Sequence, residues 1–283
     1  MKVHFFSAGF CSADNSHTYK NAPKGKTVFP AFCALIQHPE LGNIVFDTGY
    51  SEHFFNATKN FPNRIYRWVA PVTFTKGDSA KDQLESKMGI SGEYIDYVIV
   101  SHFHGDHIGG LKDFPNARFI CSKKAFIHFK NYPRAIAFSK GYLKALLPVD
   151  FEERCLFLED SFQEEKDAFF TKAWNWKEIG IRFIDLPGHA RGQVGIQFQA
   201  NYEGQNTDFF FVTDAAWCYQ NIQENIPPPP LVKLFIDDYK ALKNTLQSLH
   251  NYSKQEVTTK FIISHCKESL KEYFETTNKE LDV

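Results

Sequence analysis

The stretch Ser101-His102-Phe103-His104-Gly105-Asp106-His107 follows directly on the apolar run Tyr97–Val100. It places three imidazoles and a carboxylate within six positions, a pattern that arises by chance in roughly one sequence of this composition in a thousand. Imidazole nitrogens suit zinc, iron and other borderline metals, and a carboxylate adds a harder oxygen donor. The stretch therefore predicts a metal site at the end of a buried strand, with a run of solvated surface histidines as the alternative.

The spacing within this stretch indicates two neighbouring binding points. His102 and His104 can project side by side from a loop, whereas Asp106 and His107 turn toward a second point. Gly105 lets the backbone bend between the two pairs.

Four further titratable residues follow apolar strands elsewhere in the chain. They are Asp47 after Ile44–Phe46, His189 after the turn at 185–188, Asp214 after Phe209–Thr213 and His265 after Phe261–Ser264. Polar residues at the ends of buried strands are where α/β scaffolds build their sites. Each one alone would fit an ordinary surface histidine or turn aspartate. Together with residues 102–107 they indicate partners for the same metal site.

This ordered set resembles the dinuclear pattern of the metallo-β-lactamase superfamily. The matching residues are His102, His104, Asp106, His107, His189, Asp214 and His265. The Asp47-Thr48-Gly49 turn and the Pro187-Gly188-His189 approach are similar to that family too, and the resemblance runs from about residue 30 to 266. It implies an α/β (α+β) fold, a four-layer αββα sandwich with the metals at one edge of two packed sheets.

The resemblance also implies how the metals are held. By position, the first metal is bound by His102, His104 and His189, the second by Asp106, His107 and His265, and both by Asp214. Asp47 would lie behind these ligands and orient one histidine by a hydrogen bond. We expect two divalent ions, zinc in the first place, with iron, manganese or cobalt as alternatives.

Such a centre suits hydrolysis. Two metal ions roughly 3.5–4 Å apart share a hydroxide, lower the pKa of water toward neutrality and polarise a substrate oxygen. A carboxyl ester, lactone, thioester or phosphodiester would be attacked by that bridging hydroxide, while the second metal stabilises the leaving oxygen or sulfur. Asp106 is placed to steer protons as well as to bind metal, and it is the predicted catalytic residue.

Among the hydrolases of this superfamily, the chain looks most like the acyl-homoserine lactonases. The opening strands, the run His189-Ala-Arg-Gly-Gln and the segment Asp214-Ala-Ala carry this likeness, and the bridging Asp214 counts against a true β-lactamase. One position departs from the branch, which commonly has a tyrosine three residues after the bridging aspartate. This chain has Trp217 there, with only an N–H to donate. Trp217, the nearby Tyr219 and Phe103 are candidate substrate contacts, although Phe103 would face either the substrate or the core.

Other functions of the fold stay open at this point. A thioesterase of glyoxalase II type shares the same seven ligands, and a phosphodiesterase suits the same metals, although a net charge of -1 does not favour nucleic acid. From a different class, the fold also hosts iron-dependent oxygenases and non-catalytic members that only bind a ligand. A mono-iron site would leave Asp106, His107 or His265 without a metal to bind. A non-catalytic member of the fold would be expected to lack some of the metal-binding residues. The complete set therefore favours the dinuclear hydrolase.

The composition is that of a globular enzyme. The chain has 283 residues, of which 43% are hydrophobic and 23% charged, and we expect a single domain over residues 1–283. Aromatic-rich excursions at about residues 50–75 and 126–175 interrupt the strand pattern. The phenylalanines of these stretches, part of 29 in the whole chain, would line a pocket for an apolar acyl chain, fill the core or form a homodimer contact. The expected partner is a small-molecule substrate with an apolar portion.

The sequence predicts a cytoplasmic location. A bilayer-spanning helix needs a run of about eighteen apolar residues, and the sequence contains no such run. Met1–Asp14 lacks the sustained apolar stretch of a signal peptide. The six cysteines are scattered without a C-x-x-C pair, which favours reduced thiols.

Hydrophobic patterning predicts the secondary structure. The predicted strands are Val3–Phe6, Phe32–Gln37, Ile44–Phe46, Tyr97–Val100, Ala117–Cys121, Ile181–Leu186, Val194–Phe198, Phe209–Thr213 and Lys260–Ser264. The predicted helices are Ser79–Met88, Lys123–Phe129, Tyr239–His250 and Glu268–Thr277. The pattern around Phe151–Phe162 is closer to helix than to strand, and Pro227–Pro230 predicts an extended loop.

Overall fold

The computed structural model describes residues 1–273 and contains a system of paired strands with helices outside it. In that range the strands are β1 (Lys2–Asp14), β2 (Lys26–His38), β3 (Gly42–Phe46), β4 (Val72–Thr73), β5 (Tyr97–Ile99), β6 (Arg118–Cys121), β7 (Cys155–Phe157), β8 (Gln163–Glu165), β9 (Ala173–Trp176), β10 (Ile181–Asp185), β11 (Val194–Tyr202), β12 (Gln205–Thr213) and β13 (Lys260–Ile263). The α-helices are α1 (Glu52–Ala57), α2 (Ile65–Val69), α3 (Ala80–Met88), α4 (Gly105–Ile108), α5 (Lys123–Asn131), α6 (Phe151–Arg154), α7 (Leu158–Ser161), α8 (Tyr219–Gln223), α9 (Tyr239–Gln255) and α10 (Lys267–Tyr273).

The strand order divides this system into two sheets. β1, β2 and β3 pair in antiparallel fashion, and β5, β6 and β7 continue from β3 in parallel. In the second sheet, β8 to β12 are antiparallel neighbours and β13 joins β12 in parallel. The two sheets share one register pair, Lys2 of β1 with Asn201 of β11.

Side chains alternate between the two faces of these strands. In β12, Phe209 and Phe211 face the other sheet, whereas Phe210 and Val212 face outward. Because the side-chain period of a strand is two residues, a strand that is apolar throughout has to be covered on both faces.

Three separate apolar clusters cover those faces. The middle cluster lies between the sheets, where the ring centroids of Phe46 and Phe211 are 4.6 Å apart. A second cluster packs Val98 of the first sheet against helical residues such as Leu84 and Phe126. The third packs the second sheet against α9. The resulting layers are helix, sheet, sheet and helix, and the predicted αββα sandwich is confirmed.

Helix α9 shows how the sequence builds an outer layer. Leu242, Leu246 and Leu249 are buried on one stripe of it, at the spacing of an amphipathic helix. The Asp238 carboxylate begins the helix by accepting hydrogen bonds from the N–H groups of residues 240 and 241.

Most of the predicted elements coincide with observed ones, with three differences. The prediction of helix around Phe151–Phe162 is wrong in its middle, because β7 separates α6 from α7 and pairs with β6. The short strands β4, β8 and β9 were not predicted, since they are only two to four residues long. The predicted closing helix corresponds to α10 as far as Tyr273, and its residues 274–277 lie outside the described residues.

No helix within residues 1–273 is both long and apolar enough to cross a bilayer. The six cysteines of the chain all lie in that range, and each is free of a disulfide.

Candidate metal centre

The sandwich brings the ends of several strands to one edge. Asp47 directly follows β3 and Asp214 directly follows β12, while His102 and His265 lie within three residues of the ends of β5 and β13. β3 and β5 run parallel, and so do β12 and β13. Each parallel pair therefore delivers its polar residues on the same side of the sandwich.

The single helical turn α4 separates the ligand-type residues of the opening motif into two pairs. His104 precedes the turn in an extended conformation, whereas Asp106 and His107 lie within it. A Cβ atom at Gly105 would lie 3.1 Å from Cδ1 of Leu143. The position thus has little room for a side chain.

The Asp47-Thr48-Gly49 turn packs against this helical turn. The N–H and the hydroxyl of Thr48 donate to the carbonyl of His107 at 2.8 and 3.0 Å, and the N–H of Gly110 donates to the Thr48 hydroxyl at 2.9 Å. Asp47 has a φ of +54°, a left-handed conformation that aspartate tolerates better than most residues. These contacts hold Asp47 beside His107.

A tight turn positions His189. Gly188 has a φ of +138°, and a Cβ atom there would lie 2.3 Å from the backbone of Leu242 in α9. The N–H groups of Asp237 and Asp238 donate to the carbonyls of His189 and Gly188 at 3.0 and 2.9 Å. The start of α9 therefore anchors the loop that carries His189.

Three imidazole nitrogens converge in a first group. Nδ1 of His104 lies 3.0 Å from Nε2 of His102 and 2.9 Å from Nε2 of His189. Nitrogen ligands of one tetrahedral zinc ion would be roughly 3.4 Å apart, so these atoms are close to the spacing that one ion requires. With an oxygen of Asp214, the four donor atoms all lie within 4.8 Å of one another.

A second group consists of Asp106, His107 and His265. One donor atom from each lies within 4.8 Å of the others, and Nε2 of His265 is 3.4 Å from Oδ2 of Asp106. The structure thus brings all seven predicted ligand residues into two adjacent groups.

The carboxylate of Asp214 contacts both groups. Its Oδ2 lies 3.2 Å from Nε2 of His189 and 2.9 Å from Nε2 of His265, and its Oδ1 lies 3.3 Å from Nε2 of His107. The preceding residue, Thr213, has a φ of +52°, a conformation that costs a non-glycine residue on the order of 1–3 kcal/mol. Backbone strain is thus tolerated at the turn that presents Asp214.

The groups are buried, and their pKa values respond to that burial and to each other. Burial lowers the pKa of His102 and of His189 well below 6.5. Burial also acts to lower the pKa of His107, but nearby carboxylates, Asp214 first, outweigh it and raise that pKa well above 6.5. Burial would raise the pKa of Asp214, yet the surrounding imidazoles, His265 first, hold it well below 3.8. The site therefore favours neutral imidazoles in the first group and an ionised carboxylate between the groups, which are the forms that bind metals.

Hydrogen bonds behind the ligand atoms orient the rings. The Asp47 carboxylate accepts from Nδ1 of His107 at 2.7 Å and from the Ser101 hydroxyl at 2.7 Å. Nδ1 of His265 donates to the carbonyl of Pro30 at 2.9 Å. Each of these contacts leaves the Nε2 atom of its histidine facing the site, which is the usual arrangement around protein-bound metals. The roles of Ser101 and Pro30 were not predicted, because neither residue type signals a metal site by itself.

The residues present fit a metal centre. Within the described part of the chain, neither Nε2 of His107 nor Oδ1 of Asp214 makes a hydrogen bond, although both atoms are buried. The two atoms lie 3.3 Å apart as an ion pair, and a cation bound by both would satisfy each of them. Five imidazoles with two carboxylates form a donor set that suits zinc and similar metals.

Of the three residues predicted to contact the substrate, the structure places one beside the site and two away from it. Trp217 lies beside the site, with its ring centroid 5.8 Å from that of His189. Tyr219 points away, because its hydroxyl donates to the Glu272 carboxylate at 2.8 Å. Phe103 faces the core rather than a substrate: it is 2% exposed and stacks on Phe129 at 4.9 Å.

Two tyrosines from the aromatic-rich excursions reach the site instead. The Tyr66 hydroxyl on α2 lies 3.4 Å from Oδ1 of Asp106, and the Tyr142 ring lies 5.5 Å from the His104 ring. Burial, reinforced by the Asp106 charge, raises the pKa of Tyr66 well above 10. Their segments are irregular, so sequence spacing alone could not align either tyrosine with the metal-binding motif.

Comparison with known proteins adds three similarities. An N-acyl homoserine lactonase of Bacillus thuringiensis subsp. kurstaki is 22% identical over 227 residues, which is 80% of each chain. A solved N-acyl homoserine lactone hydrolase, with the product N-hexanoyl-L-homoserine bound at its catalytic metal centre, superposes with a TM-score of 0.72 at 20% identity over 96% of this chain and 95% of that one. A dizinc quorum-quenching lactonase gives a TM-score of 0.59 at 17% identity over 94% and 87% of the two chains. These relatives are hydrolases, as the sequence predicted for this chain.

A match between this sequence and a protein-family model establishes the family. The family model described as "Metallo-beta-lactamase superfamily" matches residues 27–198, which is more than half of the 283 residues. That range holds the motif at 102–107 and His189, and the sandwich outside it has the layers of the same fold. This chain belongs to the metallo-beta-lactamase superfamily.

Proposed function

We propose that this protein is a hydrolase with a dinuclear metal centre that opens a lactone or cleaves a related carboxyl ester. The observation that carries the proposal is the position of Asp214, whose two carboxylate oxygens face histidines of both ligand groups. An anionic side chain that faces both groups of donors is suited to hold two cations close together.

The proposed ligand sets are those that the resemblance implied. One ion is held by His102, His104 and His189, the other by Asp106, His107 and His265, and Asp214 binds both. We propose zinc for both positions, given the imidazole-rich donor set. When bound, the two ions lower the pKa of water and polarise the substrate carbonyl.

Asp106 has a second part in this proposal. Its Oδ2 faces His265, while its Oδ1 faces the Tyr66 hydroxyl. In this proposal Oδ2 would bind the metal, and Oδ1 would take a proton and pass it to the leaving alcohol.

A cleft of about 170 Å³ beside His265 supports a small substrate. Its walls include Val28, Phe29 and Trp217 as well as Lys267, so apolar and polar portions of a ligand would both find partners. The similarity to N-acyl homoserine lactonases supports a lactone with an acyl substituent as the first substrate to test.

Two measurements test this proposal. Elemental analysis of the purified protein should find about two divalent ions per chain. The protein should then be assayed on short- and long-chain acyl lactones, a thioester and a chromogenic phosphodiester, with lactones turned over fastest. One iron per chain with oxygen-dependent turnover would overturn the dinuclear hydrolase. Turnover of the thioester or phosphodiester without the lactones would overturn the substrate class and leave the metal centre in place.

A further inference from the structure

The phenol of Tyr66 is held at the metal-binding cluster by its neighbours. Its ring packs edge-on against Phe54, with centroids 5.1 Å apart. On another side lies Gly141, where a Cβ atom would sit 3.2 Å from the His104 ring and 3.6 Å from the Tyr66 ring. The rings of Tyr66 and His104 therefore both lie next to Gly141, and the Tyr66 hydroxyl is directed at Asp106.

The contact of that hydroxyl with Asp106 is a weak one. The two oxygens are 3.4 Å apart, whereas a good hydroxyl–carboxylate hydrogen bond is about 2.5–2.7 Å long. The donor is therefore only partly engaged, and a closer oxygen from a substrate would compete for it successfully.

Three other aromatic side chains near the site lack a hydroxyl directed at a proposed metal ligand. The hydroxyl of Tyr142 is directed at the Asp237 carboxylate at 3.3 Å, and that of Tyr219 is bound to Glu272. Trp217 has only its N–H to donate. Of these four side chains, Tyr66 is the one with a hydroxyl beside a proposed metal ligand.

We propose that the Tyr66 hydroxyl is a catalytic hydrogen-bond donor to the substrate oxygen that gains negative charge during hydrolysis. This proposal rests on the proposed hydrolase function. Water supplies the oxygen that enters the acid and the proton that ends on the alcohol, while the bond between the acyl carbon and the leaving oxygen breaks. Tyr66 keeps its own proton throughout, and its hydrogen bond strengthens as charge develops.

The test compares Y66F with the wild type and with Y219F. Phenylalanine keeps the ring against Phe54 and removes only the donor. We expect Y66F to lower kcat and kcat/KM together by about 10- to 100-fold, because the lost interaction belongs to the transition state. Metal content and thermal stability should match the wild type. Y219F removes a hydroxyl that points away from the site and should retain wild-type rates.

A binding measurement gives a readout apart from turnover. A phosphonate monoester mimics the charged tetrahedral geometry, and calorimetry should show it binding more weakly to Y66F than to the wild type by a factor similar to the loss in kcat/KM. Unchanged kcat and unchanged phosphonate affinity in Y66F would overturn the role of Tyr66. A loss of bound metal that accounts for the rate loss would also overturn it, since Tyr66 would then act only by positioning Asp106. Turnover by the wild type in the same assays tests the hydrolase function separately.

Discussion

Nδ1 of His107 donates a hydrogen bond of 2.7 Å to Oδ2 of Asp47, and the two side chains are 1% and 0% exposed. Sixty residues separate the partners in the chain. The bond exists because β3 and β5 lie side by side in parallel. It fixes which nitrogen of His107 carries the proton and leaves Nε2 available on the metal side.

Replacing Asp47 by asparagine should weaken metal binding by about 10- to 100-fold, the usual effect of losing such a supporting carboxylate. Asparagine suits the left-handed backbone at this position and keeps an oxygen for the Ser101 N–H, so folding should survive. Competition with a chelator measures the affinity. The control is D113N, which breaks another aspartate–histidine pair, Asp113 with His53 at 3.0 Å, away from the cluster. Wild-type metal affinity in D47N would contradict the orienting role.

Asp214→Asn should reduce metal content and abolish hydrolysis together. The substitution keeps the size of the side chain and removes the charge that contacts both ligand groups. We expect fewer than two ions per chain by elemental analysis and no measurable turnover on the substrate that the wild type prefers. Full activity with one ion bound would refute a bridging role for Asp214.

Gly188→Ala should destabilise the protein and disturb the site at the same time. Its φ of +138° belongs to a region that is essentially restricted to glycine, and the added Cβ would meet the α9 backbone at 2.3 Å. We expect a loss of roughly 3 kcal/mol or more in the free energy of unfolding, measured by urea denaturation. Gly180→Ala is the matched control, because Gly180 has a φ of +65° but open space around it. That variant should lose only about 1 kcal/mol.

Asp167 should contribute to stability in a pH-dependent way. Its carboxylate accepts from the N–H groups of Phe169 and Phe170 and from Arg182, each at 2.8–3.1 Å. Burial acts to raise its pKa, but these donors prevail and hold the pKa below 3.8. A carboxyl with a depressed folded-state pKa stabilises the protein above its unfolded pKa of about 3.9, and that stability is lost as the pH falls further.

The free energy of unfolding of D167N, measured from pH 7 to pH 3, should accordingly start lower than that of the wild type and fall less at the acid end. D160N serves as the control, because Asp160 is 51% exposed and pairs with the exposed Lys123, a contact worth little. Parallel profiles for D167N and the wild type would show that Asp167 has the same pKa in the folded and unfolded states.

The proposed metal-binding residues were predictable because their signals are local. His102 to His107 form one short motif, and each of the remaining ligands follows, within four residues, a strand whose apolar run is visible in the sequence. The four layers of the sandwich were expected from the resemblance to the metallo-β-lactamase superfamily, whereas the strand and helix pattern alone indicated sheets with helices outside. Where apolar alternation is weak, as in β8, or where strand and helix alternate within a few residues, as around β7, the prediction failed.

The sequence by itself determined which side chains could bind metal, in what order they occur, and that the ends of buried strands would present them. Periodicity and residue chemistry carry that information without reference to distant parts of the chain. Only the tertiary structure decided that Phe103 turns into the core and that Tyr66 rather than Tyr219 reaches the site. Those outcomes depend on the packing of irregular segments against the sandwich, and packing between distant residues leaves no regular spacing in the sequence.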